Sequence, residues 1–82
     1  MKSLNRETFR DTVKKNKVVV LFKTPTCIPC KTVMGFFDNA ITTDIPVYSV
    51  DATEEEVIAA QYDVMKSPTI LLFEQGEVVK TH

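Results

Sequence analysis

The sequence predicts a three-layer α/β fold, with a mixed four-stranded sheet and helices packed on it, in the order α-β-α-β-α-β-β. Three observations carry this. Val18-Val19-Val20-Leu21-Phe22 is an unbroken β-branched and apolar run, the pattern of a strand buried on both faces. A segment with helical spacing of apolar residues follows it and leads to a second strand, and two strands joined through a helix form a right-handed parallel unit. The last two strands flank Glu74-Gln75-Gly76-Glu77 and read as an antiparallel hairpin.

Each element has its own signal. A first helix is expected over residues 4–15, where Phe9 and Val13 share a face at i, i+4. Asn5 is placed to cap it, with Leu4 and Phe9 as a hydrophobic staple, and Asn16 is a stop. The strand at 18–22 gives way to a loop, residues 23–29, containing two prolines. A second helix should begin near Cys27 or Cys30 and carry Val33, Phe36, Phe37 and Ala40. Residues 45–50 form the second strand, introduced by Pro46 and closed by Asp51. Thr53-Glu54-Glu55-Glu56 opens a third helix. Thr53 is the expected cap, Glu56 completes a capping box, and three acids suit the positive end of the helix dipole. Val57, Ile58 and Tyr62 then face the core. Residues 69–73 are the third strand, Gly76 is free to take positive φ in the turn, and residues 78–81 close the sheet.

At 82 residues the chain is expected to be one domain, 1–82. A domain this short buries only about 60% of its unfolded surface, so modest stability is expected. A 44% hydrophobic composition with a net charge of −1 excludes a disordered chain. Ten basic residues against eleven acidic leave no basic face for nucleic acid. The basic residues gather in 2–31 and the acidic in 51–77, a mild skew that reads as solvated faces. No stretch reaches the roughly 18 apolar residues of a membrane span, and the N-terminal segment lacks the apolar core of a signal peptide. The expectation is a cytoplasmic protein with neither nucleic-acid nor membrane partners.

There are two cysteines, Cys27 and Cys30. A disulfide scaffold would need more pairs at wider spacing, so this pair reads as chemistry. It follows a buried strand and opens a helix. Unpaired N–H groups at a helix N-terminus carry partial positive charge and favour a thiolate. Cys27, at the tip, should therefore have a pKa below the free value of about 8.5. Cys30 should be more buried and higher in pKa. In the mechanism this predicts, Cys27 attacks a substrate disulfide and Cys30 resolves the mixed disulfide. Pro29 fixes φ near its helical value and gives up a donor at the helix start. A zinc site would need four ligands. There is no second cysteine pair, and the single histidine, His82, is the last residue, where fraying is the simpler expectation; no metal site is expected.

With these residues in place, the sequence resembles the thioredoxin family across residues 4–81. The matching features are the apolar strand running into Cys27-Ile28-Pro29-Cys30-Lys31, the segment Val64-Met65-Lys66-Ser67-Pro68-Thr69-Ile70-Leu71-Leu72-Phe73, and the turn Glu74-Gln75-Gly76-Glu77-Val78. The resemblance implies a thioredoxin-like fold and a thiol–disulfide oxidoreductase that reduces protein disulfides with no cofactor beyond its own thiols. It implies a cis Ser67–Pro68 bond lying against the cysteines, with Ser67 offering backbone groups to a substrate strand. Thr26, Ile28, Pro29, Ser67 and Pro68 become the expected substrate contacts, ringed further by Pro25 and Lys66. The implied partners are disulfide-containing substrate proteins and a flavoprotein thioredoxin reductase as electron source, or glutathione.

The departures from the family pattern are specific. Leu21 stands where thioredoxins carry a buried aspartate that moves protons at the second cysteine, and Ser49 where its lysine partner falls. Thr26 replaces the tryptophan before the first cysteine, and the chain has no tryptophan. The usual first strand and final helix are expected to be absent. Part of a sheet face should then be uncovered, giving either a weak dimer or partner surface, or a monomer in which Met34, Phe36 and Phe37 spread over the gap. Lys23-Thr24-Pro25-Thr26-Cys27 is similar to the segment before the cysteines of glutaredoxins and of the small thioredoxins that serve ribonucleotide reductase. A glutathione-dependent enzyme, with Lys23 as a carboxylate contact, is therefore the alternative reading. A redox-inactive binding module and a glutathione-held [2Fe–2S] cluster are further alternatives.

Overall fold

The computed structural model describes residues 2–40 and 45–82. Five strands form one sheet: β1 (Lys2–Ser3), β2 (Lys17–Lys23), β3 (Val47–Asp51), β4 (Thr69–Glu74) and β5 (Glu77–Thr81). Their spatial order is β1-β3-β2-β4-β5. The first three are mutually parallel, and β4 is antiparallel to both β2 and β5. Three helices complete the fold: α1 (Arg6–Val13), α2 (Ile28–Ala40) and α3 (Glu56–Gln61).

The expectation of four strands and no first strand is corrected. The first strand is present in abbreviated form, with Lys2 opposite Tyr48 and Ser3 opposite Ser49. Two residues are too few to show a hydrophobic period. What holds them is tertiary: the Leu4 N–H donates to Ser49 O at 2.8 Å, and the Leu4 side chain is buried.

Chain topology places the helices. From β1 to β2 the α1 crossover runs one way across the sheet, and from β2 back to β3 the α2 crossover runs the other way. Right-handed connections therefore put α1 and α2 on opposite faces. The alternation of side chains along the strands agrees. Val18, Val20, Phe22, Val50, Leu71 and Phe73 share one core with Leu4, Phe9 and Val13 from the α1 region and Ile58 and Ala59 from α3. Phe73 is met edge-on by Phe9 and Tyr62, with centroids at 5.7 and 5.2 Å. Val19, Leu21, Val47, Ser49, Ile70 and Leu72 project to the other face, that of α2.

At the helix ends, one expectation holds and one fails. Asn5 Oδ1 accepts from the Glu7 and Thr8 N–H groups at 2.9 and 3.0 Å, and the Asn5 N–H donates to Thr8 Oγ1 at 3.1 Å. Leu4 and Phe9 are both buried beside this cap, as the staple requires. The helix ends at Val13 rather than residue 15. Thr53, in contrast, does not cap α3. Its N–H and hydroxyl both donate to Asp51 Oδ1, as does the Glu54 N–H, and α3 starts at Glu56 with no side-chain cap. A charged carboxylate is the stronger acceptor, so Asp51 organises this turn. Starting so late, α3 buries Ile58 and Ala59 and half-buries Tyr62, while Val57 points to solvent.

β3, expected over residues 45–50, starts at Val47, one residue after Pro46, and ends on Asp51. The β4–β5 turn has positive φ at both central residues, 53° at Gln75 and 88° at Gly76, which matches the twist of the flanking strands. His82 is not frayed: its backbone exchanges two hydrogen bonds with Ile70, at 2.8 and 3.0 Å. On the α2 face, Val33, Met34 and Phe37 are half-buried, but Phe36 is 59% exposed and only meets Phe37 edge-on. The Ala40 side chain lies outside the described residues. No helix among the described residues is long and apolar enough to cross a membrane.

Candidate redox site

The site lies at the carboxyl end of β2, the end of an α/β sheet where crossover loops leave room for ligands. From Lys23 the chain turns through residues 24–26, with the Cys27 N–H donating to Thr24 O at 3.2 Å. Cys27 immediately precedes α2, and Cys30 is its third residue. The two sulfurs are bonded, with Cα atoms 5.2 Å apart. Cys27 is 8% exposed and Cys30 1%.

Cys27 Sγ accepts the Cys30 N–H at 3.1 Å. This is the hydrogen bond an N-cap side chain makes to the third residue of its helix. Pro29 has no N–H, so Cys30 supplies the donor of the first turn that reaches the sulfur. The geometry sets a helix-end N–H against the outer sulfur and buries the inner one.

Ser67–Pro68 is cis, as the resemblance implied. Pro68 leads into Thr69, whose register partner is Phe22, so the pairing of β4 with β2 carries the proline loop to the cysteine loop. A hydroxyl pair, Thr24 Oγ1 and Ser67 Oγ at 3.2 Å, ties the two loops together. Thr69 Oγ1 donates to Lys66 O at 2.6 Å and closes the turn that contains the proline. Cys27, Cys30, Ser67 and Pro68 are thus gathered at one end of the sheet. Thr26, Ile28 and Pro29 are exposed beside them, Ile28 at 75%. Thr24 is the residue the sequence reading missed. Its partner is 43 positions away, and no local pattern marks a lone threonine for such a bond.

Two of the positions that depart from the thioredoxin pattern are neighbours. Leu21 and Ser49 are register partners on β2 and β3, both fully buried. Ser49 Oγ shares a hydrogen bond with Ser3 Oγ at 3.3 Å. Two residues further along each strand, Lys23 faces Asp51. The Asp51 carboxyl is held below its ordinary 3.8, first by the Thr53 hydroxyl; burial opposes this, and the backbone N–H groups of Thr53 and Glu54 and the Lys23 charge add smaller lowering effects. An open trough runs from Thr24 and Ser67 along α3.

Comparison with known proteins agrees with this architecture. The thioredoxin family profile matches residues 1–82. The chain is 34% identical over 84 residues to protein disulfide-isomerase 1 of Caenorhabditis elegans, covering 94% of this chain but 17% of that protein. It is 31% identical over 78 residues to the thioredoxin of Bacillus subtilis, covering 92% of this chain and 75% of the relative. A mutant thioredoxin from Halobacterium salinarum NRC-1 superposes with a TM-score of 0.90 at 28% identity, over 99% of this chain and 74% of that one. With its Cys27–Cys30 disulfide at the head of α2, the chain belongs to the thioredoxin family of thiol–disulfide oxidoreductases.

Proposed function

We propose that the protein reduces disulfides of substrate proteins, with Cys27 as the attacking and Cys30 as the resolving thiol. The observation that carries the assignment is the 3.1 Å hydrogen bond from the Cys30 N–H to Cys27 Sγ. A helix-end donor aimed at one sulfur favours that sulfur as the thiolate, and Cys27 is also the more accessible of the two. The Cys27 thiolate attacks one substrate sulfur. A Cys27–substrate bond forms, the substrate S–S bond breaks, and the first substrate thiolate leaves to take a proton. Cys30, losing its proton, attacks Cys27 Sγ, reforms the 27–30 disulfide and expels the second substrate thiolate. Leu21 and Ser49 provide no carboxylate or ammonium for that proton, so water or another group takes it. Thr26, Ile28 and Pro29 on one side, and Ser67 and Pro68 on the other, form the substrate contact, with Ser67 as the backbone ledge.

The electron source in this reading is a flavoprotein reductase of the thioredoxin kind. Glutathione is the second candidate, and the cross-strand pairing of Lys23 with Asp51 weighs against it, because the cation a glutathione carboxylate would need already faces a carboxylate. The setting is a reducing, cytoplasmic one, and the protein works as a monomer or weak dimer. Turnover of a protein disulfide is measured with NADPH and thioredoxin reductase in one arm and with NADPH, glutathione and glutathione reductase in the other. Turnover in the first arm only is expected, and turnover in the second only would move the electron source to glutathione. Cys27→Ser is expected to abolish turnover, and mass mapping of the reduced protein to find Cys27 alkylated first; finding Cys30 first would reverse the roles.

A further inference from the structure

We infer that the trough beside Ser67 selects disulfide substrates with a lysine or arginine flanking the reacting cysteine, and that Glu56 and Asp63 set this preference. The inference rests on the disulfide-exchange reading and adds a substrate class to it. The trough holds about 690 Å³ and is open along one side. It shares Thr24 and Ser67 with the redox site, the two residues whose hydroxyls meet at 3.2 Å. A substrate segment pairing with the backbone at Ser67 is extended, and its side chains advance about 3.3 Å per residue on alternating sides. With its cysteine held at Cys27, a flanking side chain is directed along the trough.

The chemistry of the trough is uneven. Ala52, Ala59, Ala60 and Val64 contribute a floor of small hydrocarbon groups. Glu56 opens α3, Asp63 follows its last turn, and Lys66 stands in the loop before Pro68. Two carboxylates against one ammonium leave a net charge of −1. Neither carboxylate has an ion-pair partner among the described residues, where the ion pair found is Arg6–Glu55. A lysine or arginine suits both parts: its hydrocarbon stem lies on the alanine floor while its charged head reaches the carboxylates. An acidic side chain would meet two like charges. Lys66 is exposed, and its flexible stem lets the ammonium turn to solvent.

The variant that tests this is structurally benign. Asp63 has a positive φ of 54°, a conformation in which asparagine is as well accommodated as aspartate, and Glu56→Gln preserves shape. Three peptides, each carrying a small thiol reporter in disulfide linkage to its cysteine, differ only in having Lys, Ala or Glu beside that cysteine. The reduced protein is expected to release reporter from the Lys peptide about fivefold faster than from the Glu peptide at low salt. The ratio should shrink at high salt. In Glu56→Gln/Asp63→Asn, where Lys66 is the charged residue left in the trough lining, it should fall to one or below, with the Ala peptide unaffected. A ratio of one or less in the parent protein, or a ratio that survives the double variant, overturns the inference. The same peptides with serine for cysteine, bound to the oxidised protein and followed by fluorescence anisotropy, separate the two readings. Tighter binding of the Lys peptide with no peptide reduced would sustain the trough and sink the exchange reading. Equal binding and equal reduction of all three would sink the trough alone.

Discussion

The two faces of the sheet are built from alternate residues of the same strands, yet they are finished differently. One face is closed. Phe9, Tyr62 and Phe73 interlock under α1 and α3, and Val18, Val20, Phe22 and Val50 are fully buried there. Among the described residues, the other face lies under α2 alone. Leu21 and Ser49 are fully buried, but Val19, Val47, Ile70 and Leu72 are half-covered and Phe36 stands in solvent. The closed face supplies cohesion. The open face carries the helix whose N-terminus holds the disulfide, so the redox pair sits on the less completed side of a rigid sheet. A small domain has few apolar contacts to spend, and here they are concentrated away from the chemistry.

The comparison breaks most plainly with two phenylalanines. Phe73→Ala is expected to cost about 3–5 kcal/mol, a large share of the stability of a domain this size, by opening a cavity against the Phe9 and Tyr62 rings that meet it edge-on. Phe36→Ala, removing a ring of the same type from the open face, is expected to cost under about 0.5 kcal/mol. Urea unfolding of both variants checks this, and similar losses would mean that α2 packs far more tightly than its exposure indicates. Asn5→Ala sharpens the picture at a middle magnitude. Without the cap of α1 the closed face should lose about 1 kcal/mol, read by the same unfolding measurement.

The smallest effect concerns Asp51, on the open face. Its folded pKa lies below the ordinary 3.8, so it contributes stability above that value and loses it as pH falls through the folded pKa. Asp51→Asn keeps an oxygen acceptor for the Thr53 turn and removes the charge. Acid unfolding curves of the variant should have a shallower limb below about pH 4 and a slightly lower plateau at neutral pH. A variant more stable at neutral pH would show that the Lys23–Asp51 pairing costs more than it returns.

Much of this was legible in the sequence because it depends on local chemistry. The β-branched apolar run at 18–22 has the pattern of a buried strand, Asn5 with Leu4 and Phe9 is a complete helix entry, and Gln75-Gly76 suits a tight hairpin. The Cys27–Cys30 spacing before a helix brought its geometry with it. Reading failed where neighbours in space decided. Thr53 has every local mark of a cap, and Asp51 outbids it. Val57 is as apolar as Ile58, but neighbours on a helix point about 100° apart, and the packed face of α3 is that of Ile58 and Ala59. Lys2–Ser3 became a strand because β3 offered an edge.

The same division runs through the site. By itself the sequence determined the redox pair and its order along the helix, residue types at a set spacing; the proline opposite it and the loss of charge at residues 21 and 49 were implied by the resemblance to the thioredoxin family. Only the tertiary structure decided that Leu21 and Ser49 are register partners, that Thr24 clasps Ser67, that Lys23 faces Asp51, and that Glu56, Asp63 and Lys66 line one trough beside the ledge. The physical reason is range. Helix ends, turns and helical spacing are set within a few residues along the chain, whereas strand register and loop closure bring together groups tens of residues apart, and no local preference encodes which ones will meet.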